Sequence, residues 1–134
     1  MIDKIIIDAK ESPLGRVASY AAKKALLGNS VFIVNCDYAV ISGRKKDIIA
    51  RYREYRIRGG SSLNGPHFPK SPERIMKRTV RGMVGYTKGR GSVAIKKVIC
   101  YNGVPDEYSN MEKVSVSKVF KISTMRLKEL AGLL

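Results

Sequence analysis

Four cations recur at helical spacing in the middle of the sequence: Arg74, Lys77, Arg78 and Arg81 stand at i, i+3, i+4 and i+7. On an α-helix that spacing gathers all four within about a quarter-turn of one face. Met76, Thr79, Val80 and Met83 fall on the other side. A solvated polar face normally mixes Glu with Lys, but this stripe holds no acid, the pattern expected of a face that meets phosphates. A second group, Arg44, Lys45 and Lys46, opens a helix expected from Gly43, where the helix dipole disfavours cations by about 0.3 to 1 kcal/mol each. A bound phosphate would reverse that penalty, because free backbone N–H groups and three cations would converge on one anion. A helix boundary misplaced by two residues would remove that reading. Arg51, Arg53, Arg56 and Arg58 extend the positive field beyond this helix, and guanidinium suits phosphate because it can bond through two N–H groups at once.

His67 and Phe68 lie between Pro66 and Pro69 on a glycine-rich stretch, followed by Lys70. Rings presented rigidly there could stack on unpaired bases, and Phe68 could equally anchor the loop in the core. His67 is the only histidine, without a second ligand or catalytic partner, so neither a metal site nor a general base is expected of it. Lys88 and Arg90, within Lys88-Gly89-Arg90-Gly91, could wrap a phosphate, although a lone GRG is a weak signal. No glycine fingerprint for nucleotides follows the first strand, no GxSxG occurs, and the carboxylates are scattered where two-metal nuclease chemistry would pair them. Cys36 and Cys100 lack metal or redox spacing and read as small apolar residues. No catalytic residue, cofactor or small-molecule substrate is expected.

The charge balance agrees with the motifs. The 134 residues carry 26 Lys and Arg against 11 Asp and Glu, a formal +15. Residues 44 to 97 hold 16 of those cations and three acids, while the flanks on either side each come to +1. A net +13 confined to the middle of a chain repels itself and calls for a polyanionic partner. With 44% hydrophobic residues the chain can still bury a core and does not read as a disordered basic tail. No stretch approaches the roughly 20 apolar residues of a membrane span, and the acidic start does not suit a signal peptide, so a cytoplasmic protein is expected.

These cations must be positioned by a fold of alternating strands and helices. Ile5-Ile6-Ile7 reads as a buried strand, followed by a helix from Ser12 as N-cap and Pro13 to Gly28, with an alanine-rich apolar face. Val31-Phe32-Ile33-Val34 is apolar on both faces and suits the interior of a parallel sheet. A third short strand is expected at Ala39-Val40-Ile41. Ser42 would then cap a helix to Tyr55, with Ile48, Tyr52 and Tyr55 on one face. Residues 57 to 71 read as a long binding loop. A helix opens at Ser71-Pro72-Glu73 and runs to about Val84, and Val98 to Tyr101 gives the fourth strand. Beyond Pro105 the pattern weakens to a possible strand from Val114 to Ile122 and a short C-terminal helix capped by Ser123, with Leu127, Leu130, Leu133 and Leu134. One domain, 1 to 134, is expected.

Several stretches together resemble a known family: DAKESPLGRVAS at 8 to 19, VFIVN and AVISGRKK at 31 to 46, GPHFPKSPERI at 65 to 75, RTVRGM at 78 to 83 and YNGVP at 101 to 105. The chain resembles the ribosomal protein L-thirteen family of the large subunit, in its archaeal and eukaryotic form, over about residues 2 to 108 as core; 109 to 134 is a loosely matched C-terminal extension. The resemblance implies a three-layer α/β/α domain with a four-stranded, mainly parallel sheet, plus the long basic loop and short C-terminal helix. It also implies docking on large-subunit ribosomal RNA beside neighbouring large-subunit proteins, a part in subunit assembly, and no catalysis. Within the matching motifs Arg44, Lys45, Lys46, Lys70, Arg74, Arg78 and Arg81 are carried over as RNA contacts. The family usually continues RGM with Leu-Pro, whereas Val84-Gly85 stands here, so the path into 88 to 91 is left open. Two other classes compete: a small RNA-processing enzyme, which would need clustered carboxylates, and an architectural DNA-binding protein, which should bind duplex DNA as well as structured RNA.

Overall fold

The computed structural model describes residues 4–57, 71–87, 89–116 and 123–133, without the side chains of 56 and 57. The isoleucine run forms β1 (Lys4–Asp8), and helix α1 (Leu14–Leu26) carries the chain back to β2 (Ser30–Val34). The two strands pair in parallel, with Ile6 opposite Phe32 and Ile7 opposite Ile33. Because side chains alternate across a strand, this register gives the sheet two apolar faces. Ile7, Val31 and Ile33 belong to the main core, and Ile6, Phe32 and Val34 to a smaller cluster with Tyr108. Phe32 and Tyr108 place their ring centroids 4.9 Å apart there.

Helix α1 buries Leu14, Val17, Ala18, Ala21, Ala22 and Ala25. The alanines let it sit close to the sheet and to the helix of the cationic stripe, α3 (Pro72–Val84), its most extensive packing partner. The expected cap is corrected by one residue. Pro13, extended at φ −62°, precedes the first turn, while Ser12 is buried and its hydroxyl donates to the Lys10 carbonyl.

The sheet is four-stranded and parallel among the described residues, in the order β4 (Val98–Cys100), β2, β1, β5 (Val114–Ser115). The third strand candidate lies apart from it. Residues 40 to 42 form β3 (Val40–Ser42), outside that sheet, in an antiparallel pair with β6 (Thr124–Arg126). The cause is local: Asn35 adopts a left-handed conformation at φ +57° and a one-turn helix, Cys36–Tyr38, follows. Together they turn the chain off the end of β2, where the Val40 N–H bonds the Ser12 carbonyl. The free edge of β1 is taken by β5, in the weakly patterned region after Pro105.

Helix α2 (Lys45–Ile57) starts two residues later than expected, because Gly43 stands at φ +131°, and it buries Ile48 and Tyr52. A helix the sequence reading missed, α4 (Gly89–Lys96), follows α3. The C-terminal helix, α5 (Leu127–Leu133), buries Leu127 and Leu130. Its N-cap is not Ser123, since β6 intervenes and the Leu127 N–H bonds the Ala39 carbonyl. Leu133 is exposed, and Leu134 lies outside the described residues. No helix of the described residues is long and apolar enough to cross a membrane.

Candidate nucleic-acid interface

The α3 stripe is built by amphipathicity. Ile75, Met76, Val80 and Val84 face the core, and the alternate face presents Arg74, exposed, with Lys77, Arg78 and Arg81 half-buried. Arg74 and Lys77 have no ion pair among the described residues. The Arg81 guanidinium lies 4.6 Å from the ring centroid of Tyr86, which is itself exposed. Two apolar-side assignments are corrected: Met83 is exposed, and Thr79 is half-buried, its hydroxyl returning to the Ile75 carbonyl at 2.9 Å.

The end of α3 is fixed by two glycines. Gly85 closes the helix at φ +70°, a left-handed conformation that costs little only without a Cβ. Gly91, in the first turns of α4, packs so closely on this corner that a Cβ would overlap the carbonyl oxygens of Val84 and Gly85. Among the described residues α3 stops at Val84, and α4 packs against it.

The first turn of α2 is occupied differently from the sequence expectation. Arg44, just ahead of the helix, bonds Asp47 at 2.9 Å, and Lys45 bonds Glu129 of α5 at 2.7 Å. Two carboxylates thus supply the counter-charge that the dipole argument assigned to a phosphate, leaving Lys46 unpaired among the described residues. Arg53 donates to the Leu133 carbonyl at 3.1 Å, which satisfies a carbonyl at the end of α5. Arg51 is exposed. Arg90, in α4 and not in a phosphate-wrapping loop, donates to the Leu26 carbonyl at the end of α1.

Arg58, His67, Phe68, Lys70 and Lys88 lie outside the described residues, as does the Arg56 side chain. The described structure therefore brings together one unbroken stripe on α3 and a partly neutralised group on α2. It also brings Cys36 and Cys100 together: a hydrogen bond to Cys100 and then burial push the Cys36 thiol far up from its ordinary range, and both remain free. Sequence reasoning missed Tyr38, Arg126 and Lys128, which meet around one ring. Their spacing carries no signal, because some 90 residues separate Tyr38 from the two cations.

A parallel α/β sheet that presents a helix face of four cations and no acid defines a small basic protein built to meet a polyanion. The chain belongs to the ribosomal protein L13 family, whose model matches residues 3–107. It is 44% identical over 113 residues to the large ribosomal subunit protein uL13 of Methanosarcina barkeri, covering 84% of this chain and 80% of that one. It is 46% identical over 111 residues to the uL13 of Methanococcoides burtonii, covering 83% and 79%. With the uL13 of Methanocaldococcus jannaschii the match is 39% over 131 residues, 96% of this chain and 93% of the other, so it extends through the C-terminal segment. The family is structural and not enzymatic, a constituent of the large ribosomal subunit.

Proposed function

We propose that the chain, as one RNA-binding domain over 1 to 134, docks on large-subunit ribosomal RNA beside neighbouring proteins of that subunit. It holds converging RNA segments together during assembly, and does so in the cytoplasm. The observation that carries this reading is the α3 stripe, four basic residues on the outward face of a helix whose opposite face is buried. Arg74, Lys77, Arg78 and Arg81 neutralise phosphates, with Lys46 and Arg51 on α2 as a second group. Arg44, Lys45, Arg53, Arg56, Arg58, His67, Phe68, Lys70, Lys88 and Arg90 belong to the same proposed interface. Recognition rests on RNA shape, since the deep, narrow major groove of A-form helices is closed to side chains.

Sedimentation of native extract tests the assignment: the protein should travel with large subunits at modest salt, and a pool found only free would refute it. In purified form its affinity for large-subunit rRNA should fall steeply as salt rises, because each neutralised phosphate releases counterions. Arg78→Glu or Arg81→Glu should weaken binding more than Arg16→Glu on exposed α1 surface, and equal losses would mean that α3 is not the contact face.

A further inference from the structure

Beyond α3 the molecule carries an open cleft of about 610 Å³ between the one-turn helix at 36 to 38 and α5. Tyr38, Arg126, Lys128, Glu129, Gly132 and Leu133 line it. The volume falls in the range of small-ligand sites, roughly 300 to 1,000 Å³. Tyr38 is half-buried, so its ring is held in place, and two cations stand over it: the Arg126 guanidinium carbon at 5.4 Å from the ring centroid and the Lys128 Nζ at 5.7 Å.

The carboxylates nearby do not cancel this charge. Arg126 bonds Glu11 at 2.7 Å and Glu129 is engaged by Lys45 at 2.7 Å, while Lys128 has no carboxylate partner among the described residues. Arg53 adds a further cation at the Leu133 carbonyl. Four cations therefore surround two acids, and one of the four is uncommitted. A flat ligand with an anionic group fits this surface: Gly132 and Leu133 give an uncharged wall, and Lys128 and Arg126, turning from the Tyr38 ring to the anion, would seat it and leave the ring to the flat group.

We propose that this cleft is a second RNA contact, which takes a single unpaired nucleotide with its base against Tyr38 and its phosphate on Lys128 and Arg126. The inference rests on the RNA-binding reading above and extends it to the C-terminal segment. Lys45 and Arg53 reach from α2 to Glu129 and the Leu133 carbonyl, both in the lining of the cleft, so the cleft adjoins the α2 surface. Stacking on a ring accepts any base, so the site adds affinity and register, and not sequence preference.

The test uses the full chain on protein-free large-subunit rRNA, with ultraviolet crosslinking and adducts mapped by mass spectrometry. A nucleotide adduct is expected on Tyr38. Lys128→Glu, a change on an exposed side chain, should cut that adduct sharply and lower affinity about fivefold, while Lys128→Ala should reduce the salt slope by about one. Tyr38→Phe should bind within about twofold of the parent because the stacking face survives, and Tyr38→Leu should bind more weakly at an unchanged circular dichroism spectrum. Strong rRNA binding without an adduct at 38, and with Lys128→Glu unaffected, would overturn this inference and leave the α3 reading standing. Loss of rRNA binding by the parent chain would instead remove the function on which both depend. A Tyr38 found crosslinked to a protein neighbour in intact subunits would also overturn it.

Discussion

Helices α2 and α3 each carry four or five cations on three and a half turns, yet the two use them differently. On α2 two of the charges are engaged within the chain: Lys45 meets Glu129, 84 residues away in sequence, and Arg53 meets the Leu133 carbonyl of α5. On α3 the apolar half is fully engaged with α1 and the core, and Arg74 and Lys77 meet no carboxylate among the described residues. The difference teaches that a cluster of cations in a sequence is not yet a binding surface. What counts is whether the fold delivers acids to it, and only tertiary structure decides that.

The comparison can be broken most forcefully at the α3–α4 corner. Gly91→Ala would drive a methyl group into two backbone carbonyls that cannot swing aside, and a loss of about 3 kcal/mol is expected from the urea midpoint. RNA affinity should fall with it, since the corner sets where the stripe ends; unchanged stability would mean that the stripe does not depend on this joint. Arg74→Glu combined with Lys77→Glu comes next. Filter binding to large-subunit rRNA should show a loss of about fiftyfold at moderate salt, with the urea midpoint unmoved. The same assay on Lys45→Ala combined with Arg53→Ala should show less than about threefold, and comparable losses on both helices would erase the contrast.

Alkali should separate the helices by stability. Burial raises the Tyr52 hydroxyl above its ordinary value of 10.0, and the phenol must stay neutral to remain buried on α2. In the folded state the group holds its proton to higher pH than in the unfolded chain. Its stabilising contribution is therefore complete below about pH 10 and is lost as pH climbs toward the folded value, at up to about 1.4 kcal/mol per unit. The Cys36 thiol adds the same sign from about pH 9. Tyr52→Phe should flatten the fall of the urea midpoint above about pH 10, and a slope identical to the parent's would show that Tyr52 is not the titrating anchor.

The pattern of strands and helices was readable where one element answers to one period. Ile5 to Ile7, Val31 to Val34 and the alanine face of α1 need only local burial to be recognised, and α3 announces itself by Pro72 and its split between apolar and basic sides. Helix α4 was missed because Gly89 and Gly91 argue against a helix by propensity; close packing on Gly85 overrides that preference. Strand β3 was legible as a strand but not its pairing, because three apolar residues cannot say which partner they will find, and the partner, β6, comes some 80 residues later. For the same reason Tyr38, Arg126 and Lys128 left no trace, while Arg74 to Arg81, all on one helix, did.

The smallest effect expected is also the most direct probe of the contrast. Lys45 and Glu129 form an ion pair between side chains that are 59% and 43% exposed, so water and salt screen most of their attraction. A double-mutant cycle on Lys45→Ala and Glu129→Ala should return a coupling of only about 0.5 kcal/mol, diminishing in molar salt. The pair thus sets the position of α5 against α2 more than it holds the fold together, because Leu127 and Leu130 are already buried. Glu129→Ala alone removes a negative charge and releases Lys45, so affinity for large-subunit rRNA should rise, by about twofold. A fall in affinity would mean that α2 needs its internal partners in place to meet RNA, and that the committed and uncommitted helices act as one surface.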